Sequence, residues 1–83
     1  MTEILHDSAR RVVGIKSVVR AVRSGSAACV FVARDAVGGI LDPVLAVCAA
    51  ADVPVEEIAT MAELGRACGI DVGAAAACLL RTR

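Results

Sequence analysis

The chain has 83 residues, 58% of them apolar, and Phe31 is its only aromatic residue. A chain this short builds one small core, so we expect a single domain over residues 1–83. Nine basic and nine acidic residues give a formal net charge of zero, which argues against a general polyanion binder.

The first part of the chain predicts a short strand followed by an amphipathic helix. We expect Asp7 or Ser8 to cap a short leading turn and residues 10–13 to form a strand that ends at Gly14. Residues 15–24 then carry apolar and basic side chains on opposite faces of a helix. The apolar positions are Ile15, Val18, Val19 and Val22, and the basic ones are Lys16, Arg20 and Arg23. Gly25 is the predicted left-handed cap of this helix.

A continuous apolar run follows at residues 28–33 and predicts a central strand that is covered on both faces. A turn at Gly38 and Gly39 leads to the next helix. We expect Asp42 to be its N-cap and Pro43 its first helical residue. This helix should run to about Ala51.

The last part of the chain predicts a short strand, a helix and a final strand. Residues 52–54 break the second helix, and residues 55–58 form the strand. Thr60 caps the third helix, with Glu63 three residues later as in a capping box. That helix ends near Cys68 and Gly69, a loop covers residues 70–73, and residues 74–80 are the last buried strand.

The predicted order is therefore β-α-β-α-β-α-β. Alternating strands and helices indicate an α/β protein with helices on both faces of the sheet. We expect a three-layer α/β/α sandwich around a mixed, mostly four-stranded central sheet.

The charges are unevenly distributed along the chain. Residues 1–34 include six basic and two acidic residues, residues 35–65 six acidic and no basic ones, and residues 66–83 three arginines and one aspartate. The apolar runs are shorter than the roughly 18 residues that span a bilayer, and the N-terminus lacks the apolar segment of a signal peptide. We expect a cytoplasmic protein without membrane contact.

The candidate reactive residues favour structural roles. Cys29, Cys48, Cys68 and Cys78 are far apart and form no CxxC pair, so we interpret them as buried small side chains and not as zinc ligands. Asp35 follows a strand and is predicted to serve a turn or a cap. His6 is an ordinary surface histidine in this interpretation. With no catalytic or metal-binding constellation, we predict neither an enzyme nor a cofactor.

Several segments together resemble a known family. Residues 13–20, with the sequence VGIKSVVR, resemble the opening signature of the kink-turn RNA-binding ribosomal proteins of the L-seven-Ae and L-thirty type. Residues 64–76, LGRACGIDVGAAA, are similar to the second signature of that family in its small bacterial members. Residues 30–36 and 53–55 resemble the strands between the two signatures. The resemblance extends from about residue 8 to residue 80.

This resemblance implies a protein that holds a kink-turn, a sharply bent RNA helix with a short bulge beside tandem sheared G·A pairs. The start of the first helix would read the guanines of those pairs, and the loop before the last strand would cover the bulged nucleotides. By position, the helix-start group comprises Gly14, Lys16, Ser17 and Arg20. The loop group comprises Cys68, Gly69, Ile70, Asp71 and Val72. Ile15 and Arg34 complete the predicted RNA-binding set.

Two features keep alternatives open. The family usually has Glu or Gln where this chain has Ser17, whose side chain is too short to copy the same contact. The basic helix face also fits a solvated surface, and Ile70 and Val72 fit either stacking on bases or packing into the core. We therefore expect a monomer that binds kink-turn RNA, with the ribosome as a candidate partner. The alternative is a protein-interaction or scaffold domain of the same fold with weakened or lost RNA binding.

Overall fold

The computed structural model describes residues 10–81. The predictions made for His6, Asp7 and Ser8 lie outside these residues. Within them the order of strands and helices is the predicted one. The elements are β1 (Arg11–Val13), α1 (Ile15–Arg23), β2 (Ala27–Ala33), α2 (Asp42–Ala51), β3 (Val55–Ile58), α3 (Met61–Ala67) and β4 (Ala76–Leu80).

The four strands form one mixed sheet in the order β1-β4-β2-β3. β4 pairs antiparallel with both β1 and β2, whereas β2 and β3 run parallel. The last strand in sequence therefore lies between the first two, and β1 and β3 form the edges. The predicted mixed four-stranded sheet is confirmed.

Helices cover both faces of the sheet. On one face, Val30 and Val32 of β2 join a buried cluster with residues of α1 and α2. On the other face, Phe31 and Ala33 of the same strand pack with Leu64 of α3. Because successive side chains of a strand alternate between faces, β2 contributes to both halves of the core. The three-layer arrangement is confirmed.

Local signals placed two helix ends correctly. Gly25 has a φ of 79°, and its amide nitrogen donates to the carbonyl of Val22 at 3.1 Å, which closes the C-terminus of α1. At α3, the hydroxyl of Thr60 accepts a hydrogen bond of 3.0 Å from the amide of Glu63. These two contacts confirm the predicted glycine cap and the predicted threonine N-cap.

Other predicted boundaries were wrong by one or two residues. The N-cap of α2 is Leu41, without a capping side chain, so Asp42 is the first helical residue and not the cap. Asp42 and Pro43 are both favourable in the first turn of a helix. The pair alone therefore does not decide whether Asp42 precedes α2 as its cap or is its first residue. β4 begins at Ala76 and not at Ala74, because residues 74 and 75 still belong to the preceding connection.

Candidate nucleic-acid interface

Helix α1 begins at a glycine with an unusual backbone conformation. Gly14 is the N-cap, with φ 103° and ψ 153° and no side-chain capping bond. A Cβ atom at this position would meet no heavy atom within 4 Å, so the surface above Gly14 is open. An L-residue rarely adopts this φ. The sequence therefore needs glycine here for its backbone angle, and the open surface lets a ligand approach the main chain closely.

The side chains that follow Gly14 divide between surface and core. Lys16, Ser17 and Arg20 are exposed, and the first turn of α1 contains no acidic residue. Ile15 is half-buried and packs against the core cluster beneath α1. The first turn of a helix has backbone N–H groups without intrahelical acceptors, so this end of α1 offers hydrogen-bond donors beside two cationic side chains.

The loop at residues 69–73 is seated on helix α3. A Cβ atom on Gly65 would overlap the carbonyl oxygen of Val72, so the loop can lie this close only because residue 65 is glycine. The amide of Ile70 donates to the carbonyl of Gly65 at 3.1 Å, and the amide of Gly69 donates to that of Arg66 at 3.0 Å. These bonds satisfy the last carbonyls of α3 and fix the path of the chain into the loop.

The members of the predicted loop group lie at different depths. The Cys68 side chain is fully buried, so this residue offers a ligand only its backbone. Ile70 is partly buried and packs against the core cluster beneath α3. Val72 is 70% exposed, and Gly69 and Asp71 are exposed as well. Of the two apolar loop residues, Ile70 therefore packs on the core and Val72 faces solvent.

Backbone pairing brings the helix-start group and the loop to the same end of the sheet. The amide of Gly14 donates to the carbonyl of Ala76 at 2.9 Å, three residues after the loop ends at Gly73. On the next strand, the amide of Ala33 donates to the carbonyl of Ala75 at 2.9 Å. The start of β4 thus lies between the end of β1 and the end of β2. This register is what makes the two distant sequence segments neighbours.

Arg34 follows β2 at this end of the sheet and has an acidic neighbour. Its guanidinium lies 3.4 Å from the carboxylate of Glu57, and both side chains are exposed. Such a surface pair contributes little to stability, but it partly neutralises the charge that Arg34 would offer to RNA. Asp35, the next residue, accepts a hydrogen bond of 2.8 Å from the amide of Met61 at the start of α3. The predicted capping role of Asp35 is confirmed.

The structure identifies two supporting residues that the sequence did not reveal. The guanidinium of Arg11 on β1 donates to the carbonyl oxygen of Cys68 at 3.0 Å, and Gly65 provides the seat for the loop. Arg11 stands beside other basic residues in the sequence, so nothing distinguished it. Gly65 lies inside helix α3, where glycine is unfavourable. A glycine at such a position could have indicated a close packing contact.

The four thiols are structural in character. Cys48, Cys68 and Cys78 are buried, and Cys29 is partly so. Burial raises the pKa of all four thiols, that of Cys78 to about 11. A protonated thiol is a poor nucleophile and a poor metal ligand. Residues 10–81 contain no cluster of three or more metal-binding side chains, and no helix among them is long and apolar enough to cross a membrane.

Comparison with known proteins identifies the family. The Ribosomal protein L7Ae/L30e/S12e/Gadd45 family matches residues 2–82. A protein of Geobacillus sp. strain WCH70 named as an RNA-binding protein is 46% identical over 72 residues, which are 87% of this chain and 88% of its own. RNA-binding protein YbxF of Geobacillus stearothermophilus is 46% identical over 70 residues, covering 84% of this chain and 85% of its own. The chain belongs to the L7Ae/L30e/S12e/Gadd45 family.

Solved structures agree with this assignment. The Giardia lamblia 15.5kD RNA binding protein matches with a TM-score of 0.83 at 25% identity, over 98% of this chain and 68% of that chain. A Bacillus halodurans C protein of unknown function matches with a TM-score of 0.84 at 23% identity, over 98% and 84% of the two chains. The second match concerns the fold alone. The Geobacillus relatives and the Giardia lamblia protein are named as RNA-binding proteins, which agrees with the prediction that this chain is not an enzyme.

Proposed function

We propose that the chain recognises and stabilises kink-turns in ribosomal or regulatory RNA. RNA binding itself follows from membership of the family. The observation that supports the finer proposal is the hydrogen bond from the amide of Gly14 to the carbonyl of Ala76. Through this bond one end of the sheet presents both a helix start that can enter an RNA groove and a loop that can cover unpaired nucleotides.

The helix start suits the guanine edges and phosphates of a bent RNA helix. The open surface at Gly14 allows a base pair to approach the backbone. Lys16 can donate to guanine O6 and N7 or to phosphate, and the exposed Arg20 stands one turn further along to contact the RNA backbone. Since the first turn of α1 contains no carboxylate, no side chain there repels the phosphates.

The loop suits the unpaired nucleotides of the bulge. Val72 is an apolar side chain at a solvent-facing position, and single-stranded bases offer apolar faces that pack against such groups. The neighbouring glycines keep the loop surface low, so a splayed nucleotide can lie across it. Cys68, whose side chain is buried, can contact the RNA only through its backbone. Ile70 packs against the core cluster and supports the loop from below.

The charge distribution favours shape selectivity over general affinity for polyanions. The chain as a whole is neutral, so it lacks the long-range attraction that drives non-specific RNA binding. Three cationic side chains lie on α1, whereas the exposed Glu56 and Glu57 lie on β3, the edge strand at the other side of the sheet from β1, and Glu57 pairs with Arg34. A ligand must therefore match the surface at the start of α1 in shape to bind well.

The test compares a kink-turn RNA with a straight duplex of equal length in one buffer, each titrated over a range of salt concentrations. We expect the kink-turn to bind at least about tenfold more tightly, and the ratio to persist as salt rises, because screening weakens only the phosphate contacts. Equal affinities for the two RNAs would overturn kink-turn recognition.

We also propose that the chain works in the cytoplasm as a monomer, with the ribosome as a candidate partner.

A protein-interaction or scaffold role is the second candidate. Val37, Ile40 and Leu45 are large apolar side chains with exposed fractions of 77%, 43% and 43%. They lie on α2 and the connection before it, where a partner protein could cover them. This role becomes the leading one if neither RNA binds at physiological salt while the fold is intact.

A further inference from the structure

A groove runs along α1 beside the start of α2. Its volume is about 750 Å³. Its lining contains three aliphatic side chains, which we call the floor, and three cationic side chains of α1. The floor consists of Ile15, Val19 and Pro43. The cationic side chains are Lys16, Arg20 and Arg23, spaced over roughly 10 Å of helix. None of the three forms an ion pair or a side-chain hydrogen bond with another described residue.

This groove continues the helix-start surface. Lys16 and Arg20 belong to both, and Arg23 extends the row of positive charge for two helical turns beyond Lys16. An RNA strand held at the start of α1 therefore meets a second, adjoining positive surface on its way out. The floor differs from the helix start because it is apolar, so the groove suits a ligand that carries negative charge and an apolar face together.

We propose that the groove binds single-stranded nucleotides that flank the folded RNA. A nucleotide supplies both required groups, a phosphate for Arg20 and Arg23 and a flat base for the aliphatic floor. This inference rests on the proposed function, which brings the RNA to α1. Charge complementarity selects RNA over an apolar protein segment, since such a segment would leave three cations unpaired.

The size of the effect follows from the chemistry of the floor. Proteins that bind single strands tightly stack bases on aromatic rings. The only aromatic residue here, Phe31, is fully buried in the core, so the base would rest on aliphatic groups alone. We therefore expect a flanking single-stranded extension to tighten binding by about threefold to tenfold.

The experiment measures the affinity of the full chain for one kink-turn RNA with and without a short single-stranded extension, placed in turn at each end. The groove variant is Pro43→Glu, which puts a carboxylate into the groove. Position 43 lies in the first turn of α2, where negative charge is favourable, so α2 should still form in this variant. The matched control is Leu45→Glu, which makes the same charge change on an exposed face of α2 outside the groove.

The wild-type chain and Leu45→Glu should bind one extended RNA more tightly than the bare kink-turn. Because the new carboxylate in Pro43→Glu lies beside Lys16 and Arg20, which also serve the proposed kink-turn contact, the quantity to compare is the ratio of the affinities for the extended and the bare RNA. This ratio should show no gain in Pro43→Glu and should lose most of the gain in Arg23→Ala. If the wild type binds the bare kink-turn and gains nothing from either extension, the groove inference is wrong and the proposed function stands. An equal loss in Leu45→Glu would also overturn it. If the wild type binds neither RNA, both fail together.

Discussion

The guanidinium of Arg11 and the carbonyl oxygen of Cys68 are joined by a hydrogen bond of 3.0 Å across 57 residues of sequence. The bond is partly buried, and charged donors make stronger hydrogen bonds than neutral ones. β1 leads directly to Gly14, and Cys68 leads directly to the loop at residues 69–73. Arg11 therefore fastens the strand before one candidate RNA contact to the helix end before the other.

Arg11→Met should weaken kink-turn binding by about threefold to tenfold, because loss of a hydrogen bond to a charged donor costs about 1–3 kcal/mol and part of that loss loosens the loop. Arg10→Met is the matched control, since Arg10 is exposed and the charge change is the same. Calorimetric titration of both variants with one kink-turn RNA measures the difference. Equal affinities of the two variants would show that Arg11 acts by charge alone and does not position the loop.

Lys16→Ala should weaken kink-turn binding by about 1–3 kcal/mol, the range for a lost base-edge contact. Arg23→Ala should cost less on an RNA without extensions and should mainly flatten the salt dependence, because Arg23 lies two turns further along α1. Filter binding over a salt series gives both quantities. Both side chains are exposed, so the stability of either variant should stay close to that of the wild type. A larger effect at Arg23 would reverse the proposed docking direction.

Ser17→Gln should tighten kink-turn binding by roughly 1 kcal/mol, the typical value of one added hydrogen bond. Ser17 is exposed in the first turn of α1, where the resemblance to the family predicts a long side chain with a carbonyl group. Ser26→Gln, beyond the opposite end of α1, is the control. Isothermal calorimetry of the three proteins with one RNA makes the comparison. Unchanged affinity in Ser17→Gln, with circular dichroism unaltered, would mean that this position does not face the RNA.

Gly65→Ala should displace the loop and weaken RNA binding. A Cβ atom would overlap the carbonyl oxygen of Val72, and such overpacking costs about 1–3 kcal/mol. Ala62→Gly is a control in the same helix, since it lowers stability through helix propensity by about 1 kcal/mol at an exposed position. Urea unfolding and RNA titration of both variants separate the two effects. We expect Ala62→Gly to keep its affinity and Gly65→Ala to lose it.

The stability of the folded chain should fall as pH rises above 9. Burial raises the pKa of Cys78 from 9.0 to about 11, so the unfolded chain releases this proton at a lower pH than the folded one. The stabilisation is complete below pH 9 and is lost as pH rises toward 11, by about 2 kcal/mol for this thiol. Cys78→Ala should show a shallower decline in urea unfolding between pH 8 and pH 10 under reducing conditions. Parallel curves for the two proteins would contradict this assignment.

The sequence predicted the elements well because their signals are local. The spacing of Ile15, Val18 and Val22 identified α1, and the continuous apolar run around Phe31 identified β2 as a central strand. The cap at Thr60 depended only on residues within one turn. Each of these features is determined by neighbours in sequence, and such neighbours can be read without knowing the fold.

The arrangement of the site was harder to predict because it depends on distant partners. No local pattern places β4 between β1 and β2, yet that order brings Gly14 beside the segment that follows the loop. The loop residues show the same limit, since alternation alone could not decide that Ile70 packs inward and Val72 outward. The resemblance to the family identified the candidate residues, and the register of the sheet shows which of them lie close together.

Because Gly65 lets the loop pack closely on α3, the exposed positions of the loop can be changed while its support stays the same. The end of α3 holds the start of the loop, and the hydrogen bond of 3.0 Å from the amide of Ala74 to the carbonyl of Met61 holds its other end, while positions 71 and 72 face solvent. A combinatorial library that randomises Asp71 and Val72 while keeping the three glycines 65, 69 and 73 would vary the surface without disturbing its support. Selection from such a library against RNAs with different bulges would yield proteins of altered preference on an unchanged scaffold.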